Sequence, residues 1–294
     1  MFSTIQRSYT IFRQSLGVLR QDKEILIFPL LSGLFTIVAM AGLIFGGTVT
    51  GFFQRLAETG DRSLEGNLLG YAALFVWYFV SWFIVLFFNV GVVACARIRL
   101  EGGDPTVADG FRAARENLKA IFVWALISAT VGLILRIIAE RSKLIGQIIA
   151  KIIGAAWAIA TYFVVPVMIF EKRGPRQSMA SSTELISRTW GESLVAAAGV
   201  GITIMLLAIG GLAFPILGFL ISPTAALIGL AVMVLYWIVL SILSSALTGI
   251  YRTGLYLYAK EGRPLNGFGD ELARTAFAGA KSAPHPRTVN GSRA

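Results

Sequence analysis

Six long apolar stretches constrain this chain more than anything else in it. They run roughly from Ile25 to Gly46, Leu69 to Cys95, Ala120 to Ile138, Leu144 to Phe170, Leu194 to Ala213 and Ala225 to Ile250, and none holds an aspartate or glutamate. A helix rising about 1.5 Å per residue needs about 20 apolar residues to cross about 30 Å of hydrocarbon. The stretches match that length and are too uniformly apolar for barrel strands, which alternate at period two. Lipid offers the backbone no hydrogen-bond partners, so helices remain as the spanning structure. Composition agrees, with 14% charged residues where a soluble domain carries about 25%, and a mean hydropathy of +0.73. The expected fold is all-α and polytopic, with six transmembrane helices.

Charge then gives an orientation. The segments 1–24, 96–119, 171–193 and 251–294 face one side and hold 20 of the 26 Lys and Arg residues. Arg55, Arg62, Arg136, Arg141 and Lys143 face the other side, and Lys151 lies inside the fourth stretch. Basic residues collect on the cytoplasmic side, so both termini are expected in the cytoplasm of a prokaryotic cell membrane. The same bias accounts for the net charge of +10 without nucleic acid. The first 23 residues lack the apolar core and small-residue cleavage site of a secretory signal. Pro29 and Pro166 sit near span ends, and Pro215 and Pro223 fit a short outer loop.

Three inward stretches end alike, in "RLEGGDP" (99–105), "IFEKRGP" (169–175) and "YAKEGRP" (258–264). An amphipathic segment follows each. After the first, Asp104 is expected to cap a helix with Pro105 in its first turn, and Val107, Phe111, Ala114 and Leu118 form a stripe beside Arg112 and Arg115. The second places Met179, Ile186 and Trp190 on one face. The third aligns Leu265, Phe268, Leu272 and Ala276 but is weakened by glycines. At the N-terminus, Phe2, Ile5, Tyr9, Phe12, Leu16 and Leu19 stripe one side, with Arg7, Arg13 and Arg20 near the other. Such helices suit a bilayer surface, which makes Arg7, Arg13, Arg20, Arg112 and Arg115 candidate contacts for anionic lipid. The chain reads as three tandem units, 1–105, 106–175 and 176–264, within a membrane domain 1–264, followed by a weak amphipathic segment and disordered tail over 265–294. Hairpins joined by glycine and proline turns would also look alike without true repetition.

Enzymatic readings find little support. "GFGD" (267–270) matches the Gly-x-Gly-Asp of intramembrane aspartyl proteases, but that chemistry needs a second aspartate within the membrane. His285, the single histidine, sits in a polar tail, which leaves no base for a serine protease and no zinc site. Cys95 stands alone, so neither a disulfide within the chain nor a cysteine-based metal cluster forms. "NGS" at Asn290 is a glycosylation match only outside the cytoplasm. No cofactor is expected. Arg136, Gln147 and Lys151, with Glu140, Arg141 and Lys143, form either a polar outer vestibule or a set of snorkelling side chains. Asn89 reads as interhelical glue. The small residues Ala150, Gly154 and Ala158, and Ser241, Ser245 and Gly249, allow close helix approach within the monomer or across a dimer.

The stretches "QDKEILIFPLLSG", "FFNVGVVACARIRLEGGDPTVADGFRAA", "WALISATVGLILR" and "TYFVVPVMIFEKRGPRQSMASS" resemble an uncharacterised family of polytopic membrane proteins from bacteria and archaea, over roughly residues 5–262. More distantly they are similar to membrane domains fused to some glycerophosphodiester phosphodiesterases, whose catalytic domain is not expected within these residues. The resemblance implies six spans and no assigned activity. The expected role is non-enzymatic: engaging the cytoplasmic leaflet and organising anionic lipid or scaffolding partners. The alternative is a transporter or channel for a small or lipidic solute.

Overall fold

The computed structural model describes residues 13, 15–59, 64–141, 144–188, 201 and 203–261. Among them the chain is helical, without a strand. Residues 15–21 form a short helix, and a 3-10 turn, Lys23–Leu26, leads into α1, Ile27–Val49. Then come α2, Phe52–Thr59; α3, Leu64–Leu100; α4, Val107–Glu116; α5, Leu118–Arg141; α6, Ile145–Ala160; α7, Val164–Phe170; α8, Pro175–Arg188; α9, Ala213–Phe219; and α10, Pro223–Glu261.

Five helical stretches are long and apolar enough to cross a membrane: Lys23–Val49, Leu68–Leu100, Leu118–Glu140, Ile145–Phe170 and Pro223–Lys260. The protein is thus an all-α polytopic membrane protein. The other expected span, Leu194–Ala213, falls partly on residues 189–200 and 202, outside the described residues, and its remainder joins a shorter apolar helix, Thr203–Phe219.

Local chemistry moves several boundaries. The fourth stretch is two helices, broken at Thr161–Phe163. Pro166 has no N–H, and its ring conflicts with the carbonyl of Tyr162 four residues back. The chain therefore breaks there and restarts with Pro166 in the first turn of α7. The Phe163 N–H donates instead to Ser182 Oγ of α8, at 3.0 Å. Pro215 lies in the first turn of α9 rather than in a loop, where a missing N–H is harmless. Pro223 opens α10, and Ser222 Oγ caps it by accepting from the Ala225 N–H at 3.1 Å.

Helix α3 is central and packs against α1, α4, α5, α7 and α10. The buried residues gather towards the end of the bundle that carries the stops, called here the basic end. One apolar cluster joins Val18, Phe28, Val92, Phe163, Ile186 and Leu247, and another joins Val90, Ala114, Ile121, Trp124, Val164 and Met168. Towards the other end, Phe45, Val49, Ile148, Ile152, Leu227 and Leu235 are exposed, as suits a lipid-facing surface. Phe28, at the start of α1, fixes a level. A Cβ on Gly110 would stand 2.2 Å from its ring, and one on Gly91 2.5 Å. A Cβ on Gly249 would stand 2.5 Å from Val92. The ends of α3 and α10 therefore continue past the level at which the first span begins.

Candidate functional site

The amphipathic helices at the basic end use their apolar sides within the protein. Ser15, Val18 and Leu19 of the first helix are buried, while Arg13 and Arg20 are exposed. On α4, Phe111 packs on Phe28 with ring centroids 5.4 Å apart, Ala114 is buried, and Arg112 and Arg115 are exposed. On α8, Ser178, Ser182 and Ile186 are buried. The expected residues Arg7, Phe2, Ile5, Tyr9, Phe12 and Trp190, and all of 265–294, lie outside the described residues. Leu118 is a correction to the expected stripe: it is exposed, because the chain turns at Asn117 and Leu118 opens α5.

The first stop is built differently from its sequence reading. Thr106, not Asp104, caps α4, with Thr106 Oγ1 accepting from the Asp109 N–H at 3.3 Å and Asp109 Oδ2 accepting from the Thr106 N–H at 3.0 Å. This reciprocal box satisfies two otherwise unpaired donors. The bonds from Thr106, with Arg112 nearby, hold the Asp109 carboxyl below its usual range. Asp104 is drawn away by Arg99, which it meets in an ion pair. The second stop follows the expected pattern, with Pro175 opening α8.

A chain of charge contacts joins the ends of the helices. Arg99 donates two hydrogen bonds to Asp22, which is only 6% exposed. Arg97 pairs with Glu101 at 2.8 Å and lays its guanidinium over the Phe170 ring, 4.5 Å from the centroid. Glu171 meets Arg173 and Lys260, each at 2.8 Å, and accepts a 2.7 Å hydrogen bond from the Tyr256 hydroxyl. Burial pushes the Glu171 carboxyl up, but the bonds from Lys260 and Tyr256 outweigh it and hold the group below its usual range. Glu171 of the second stop thus holds helix ends together, whereas Glu101 of the first pairs with Arg97 one turn back on its own helix end; the side chain of Glu261 lies outside the described set. Asp22, Arg97, Arg99, Glu171 and Tyr256 were not singled out from sequence. The repeated glutamate was the available signal, and its partners lie 85 and 89 residues away at Tyr256 and Lys260.

The outer polar residues divide between two helices. Arg136 pairs with Glu140 one turn along α5, and the Tyr71 hydroxyl of α3 donates to Glu140 at 3.3 Å. Gln147 and Lys151 are exposed on α6. Among the described residues no hydrogen bond or ion pair links them to Arg136. Asn89 Oδ1 is buried without a partner. No group of three His, Cys, Asp or Glu side chains able to hold a metal occurs among the described residues.

The arrangement can present fixed cations to an anionic surface; among the described residues of the short helices, the apolar Val18, Leu19, Ala114 and Ile186 are covered by the protein itself. No curated protein and no solved structure matches the chain. The family described as "Family of unknown function (DUF6159)" matches residues 68–268, which is more than half of the 294 residues, and the chain belongs to that family.

Proposed function

We propose that this protein is a non-enzymatic component of the cytoplasmic membrane that engages the inner leaflet and organises anionic lipid through a fixed basic collar. The observation that carries the reading is the division of labour on the short helices. Their apolar sides pack on the bundle, while Arg13, Arg20, Arg112 and Arg115 stay exposed at the end where the spans begin. The charge bias of the loops supports a cytoplasmic position for that end. Binding would be electrostatic rather than insertional, with each cation near an anionic leaflet contributing about 1 kcal/mol. A transport path is the rival reading; the apolar filling between helices at the basic end favours the lipid-organising role.

The test uses the full-length protein in nanodiscs of mixed phosphatidylglycerol and phosphatidylcholine. Changing Arg13, Arg20, Arg112 and Arg115 to glutamine should reduce the enrichment of phosphatidylglycerol around the protein, and salt should reduce the wild-type enrichment. Equal enrichment for wild type and variant at low salt would reject the collar.

A further inference from the structure

The turn between α9 and α10 differs in chemistry from the other turns at the end of the bundle opposite the stops. Around the first of those the chain carries Arg55, Glu58, Asp61 and Arg62, and around the second Arg136, Glu140, Arg141 and Lys143. From Ser193 to Tyr251 the sequence holds no Asp, Glu, Lys, Arg or His. At the α9–α10 turn, Phe219, Leu220 and Ile221 are 75%, 76% and 80% exposed. Three large apolar side chains in succession are a poor fit to water, which penalises apolar area.

The turn also closes much of its own backbone. The N–H groups of Ile221 and Ser222 donate to the Gly218 carbonyl at 3.0 and 3.1 Å, and that of Leu220 donates to Ile216 at 3.3 Å. Pro223 has no N–H to satisfy. Ser222 accepts from Ala225 through its Oγ at 3.1 Å and from Ala226 through its carbonyl at 3.0 Å. Water would supply such partners to an ordinary loop. Hydrocarbon supplies none, and backbone placed there must be paired within the protein.

The two arms of the hairpin are fitted to each other. A Cβ on Gly218 would stand 2.4 Å from the Ala225 carbonyl oxygen, and one on Gly229 would stand 2.4 Å from that of Phe214, so backbone lies on backbone. The Tyr236 hydroxyl donates to the Leu207 carbonyl at 2.9 Å, and Trp237 Nε1 donates to that of Ala208 at 3.0 Å. Among residues 223–239, Gly229 and Met233 are the buried ones. The part of the hairpin near its turn therefore packs mainly on itself. From Gly249, beside Val92, back to Pro223 is about 39 Å of helix at about 1.5 Å per residue, against about 30 Å of hydrocarbon. A lean of about 40°, within the range of membrane helices, brings the turn to the far edge of the hydrocarbon.

We propose that the α9–α10 turn, with Phe219, Leu220 and Ile221, is inserted among the acyl chains of the leaflet opposite the basic end, and that the last hairpin leans in the bilayer instead of presenting a loop to water. The closed backbone and the absence of charge on either arm select hydrocarbon over a protein partner as the occupant. The surface lies across the membrane from the basic collar and does not rest on it.

The test uses the full-length protein with Cys95→Ser and one nitroxide-labelled cysteine at a time, Leu220→Cys, Ile221→Cys or Gln54→Cys, in phosphatidylcholine nanodiscs. All three positions are exposed, so the labels leave the packing intact. Power-saturation electron paramagnetic resonance compares collisions with oxygen, which concentrates in hydrocarbon, and with a water-soluble nickel chelate. At Leu220→Cys and Ile221→Cys, oxygen should exceed nickel several-fold, and at Gln54→Cys nickel should exceed oxygen. Nickel exceeding oxygen at both turn positions would place the turn in water and overturn the proposal. Few collisions with either reagent there would show the turn covered by protein, a second copy or another partner, and would overturn it as well.

Discussion

Gly110→Ala should destabilise the protein although it replaces glycine inside a helix. In an open helix the change would favour folding by about 1 kcal/mol. Here the new Cβ would stand 2.2 Å from Phe28 Cζ, where ordinary contact begins at 3.4 Å. The ring has no room to withdraw. It is 1% exposed, and along its Cδ1–Cε1 edge it already fills the space that a Cβ on Gly91 would need, 2.5 Å away. Either α4 moves outward, breaking the Phe28–Phe111 contact, or the ring leaves its rotamer. Overpacking of this kind costs about 1–3 kcal/mol, and a contact this close belongs at the upper end. Less the helix-propensity gain, the net loss is about 2 kcal/mol. At about 3 °C per kcal/mol for a large domain, the midpoint should fall by about 6 °C. Fluorescence-detected thermal unfolding of detergent-solubilised protein measures it. Adding Phe28→Leu to Gly110→Ala should recover part of the loss, since contacting residues couple. Wild-type or higher stability in Gly110→Ala alone would refute the wedge, and with it the claim that α4 is locked to the bundle.

Glu171→Gln should lower thermal stability at neutral pH. Because the folded carboxyl is held below its usual range, its contribution is present above the unfolded value of about 4.3 and is lost as pH falls through the folded value; the gap between wild type and variant should narrow on acidification, and a constant gap would reject the ion-pair role. For orientation, in a Cys95→Ser background, a cysteine at the exposed position Gln54 should react with an impermeant thiol reagent from outside the cell and one at exposed Thr183 only after permeabilisation; the reverse pattern would invert the membrane topology.

What the sequence made legible was local. The spans follow from runs of apolar side chains, and the amphipathic stripes from their period. What a stripe covers is not local: Val18, Leu19 and Phe111 suit a bilayer surface as well as the flank of α3, and only the path of the chain decides. Thr106 shows a different limit. Asp104 before Pro105 carries the stronger cap signal, but Arg99 competes for its carboxylate, and Asp109 completes a box with Thr106 instead.

The placement of the core has a physical reason. Between helices in hydrocarbon, burying an apolar side chain gains little, because lipid tails are as apolar as leucine. In water the same burial is worth about 25 cal/mol per Å². Helices α3 and α10 hold 37 and 39 residues, about 56 and 58 Å of helix at about 1.5 Å per residue, against about 30 Å of hydrocarbon. Part of the surplus lies at the basic end, and near it α10 buries Leu247, Ile250, Tyr251, Leu255, Tyr256 and Leu257 in close succession. The first and last spans, by contrast, have only 17% and 11% of their most apolar windows buried. The second and fourth spans, with 50% and 39% of theirs buried, carry more of the packing, and at the basic end it is joined by ion pairs such as Arg99–Asp22. A bundle built in this way leaves the apolar sides of its first and last spans exposed, as suits contact with lipid.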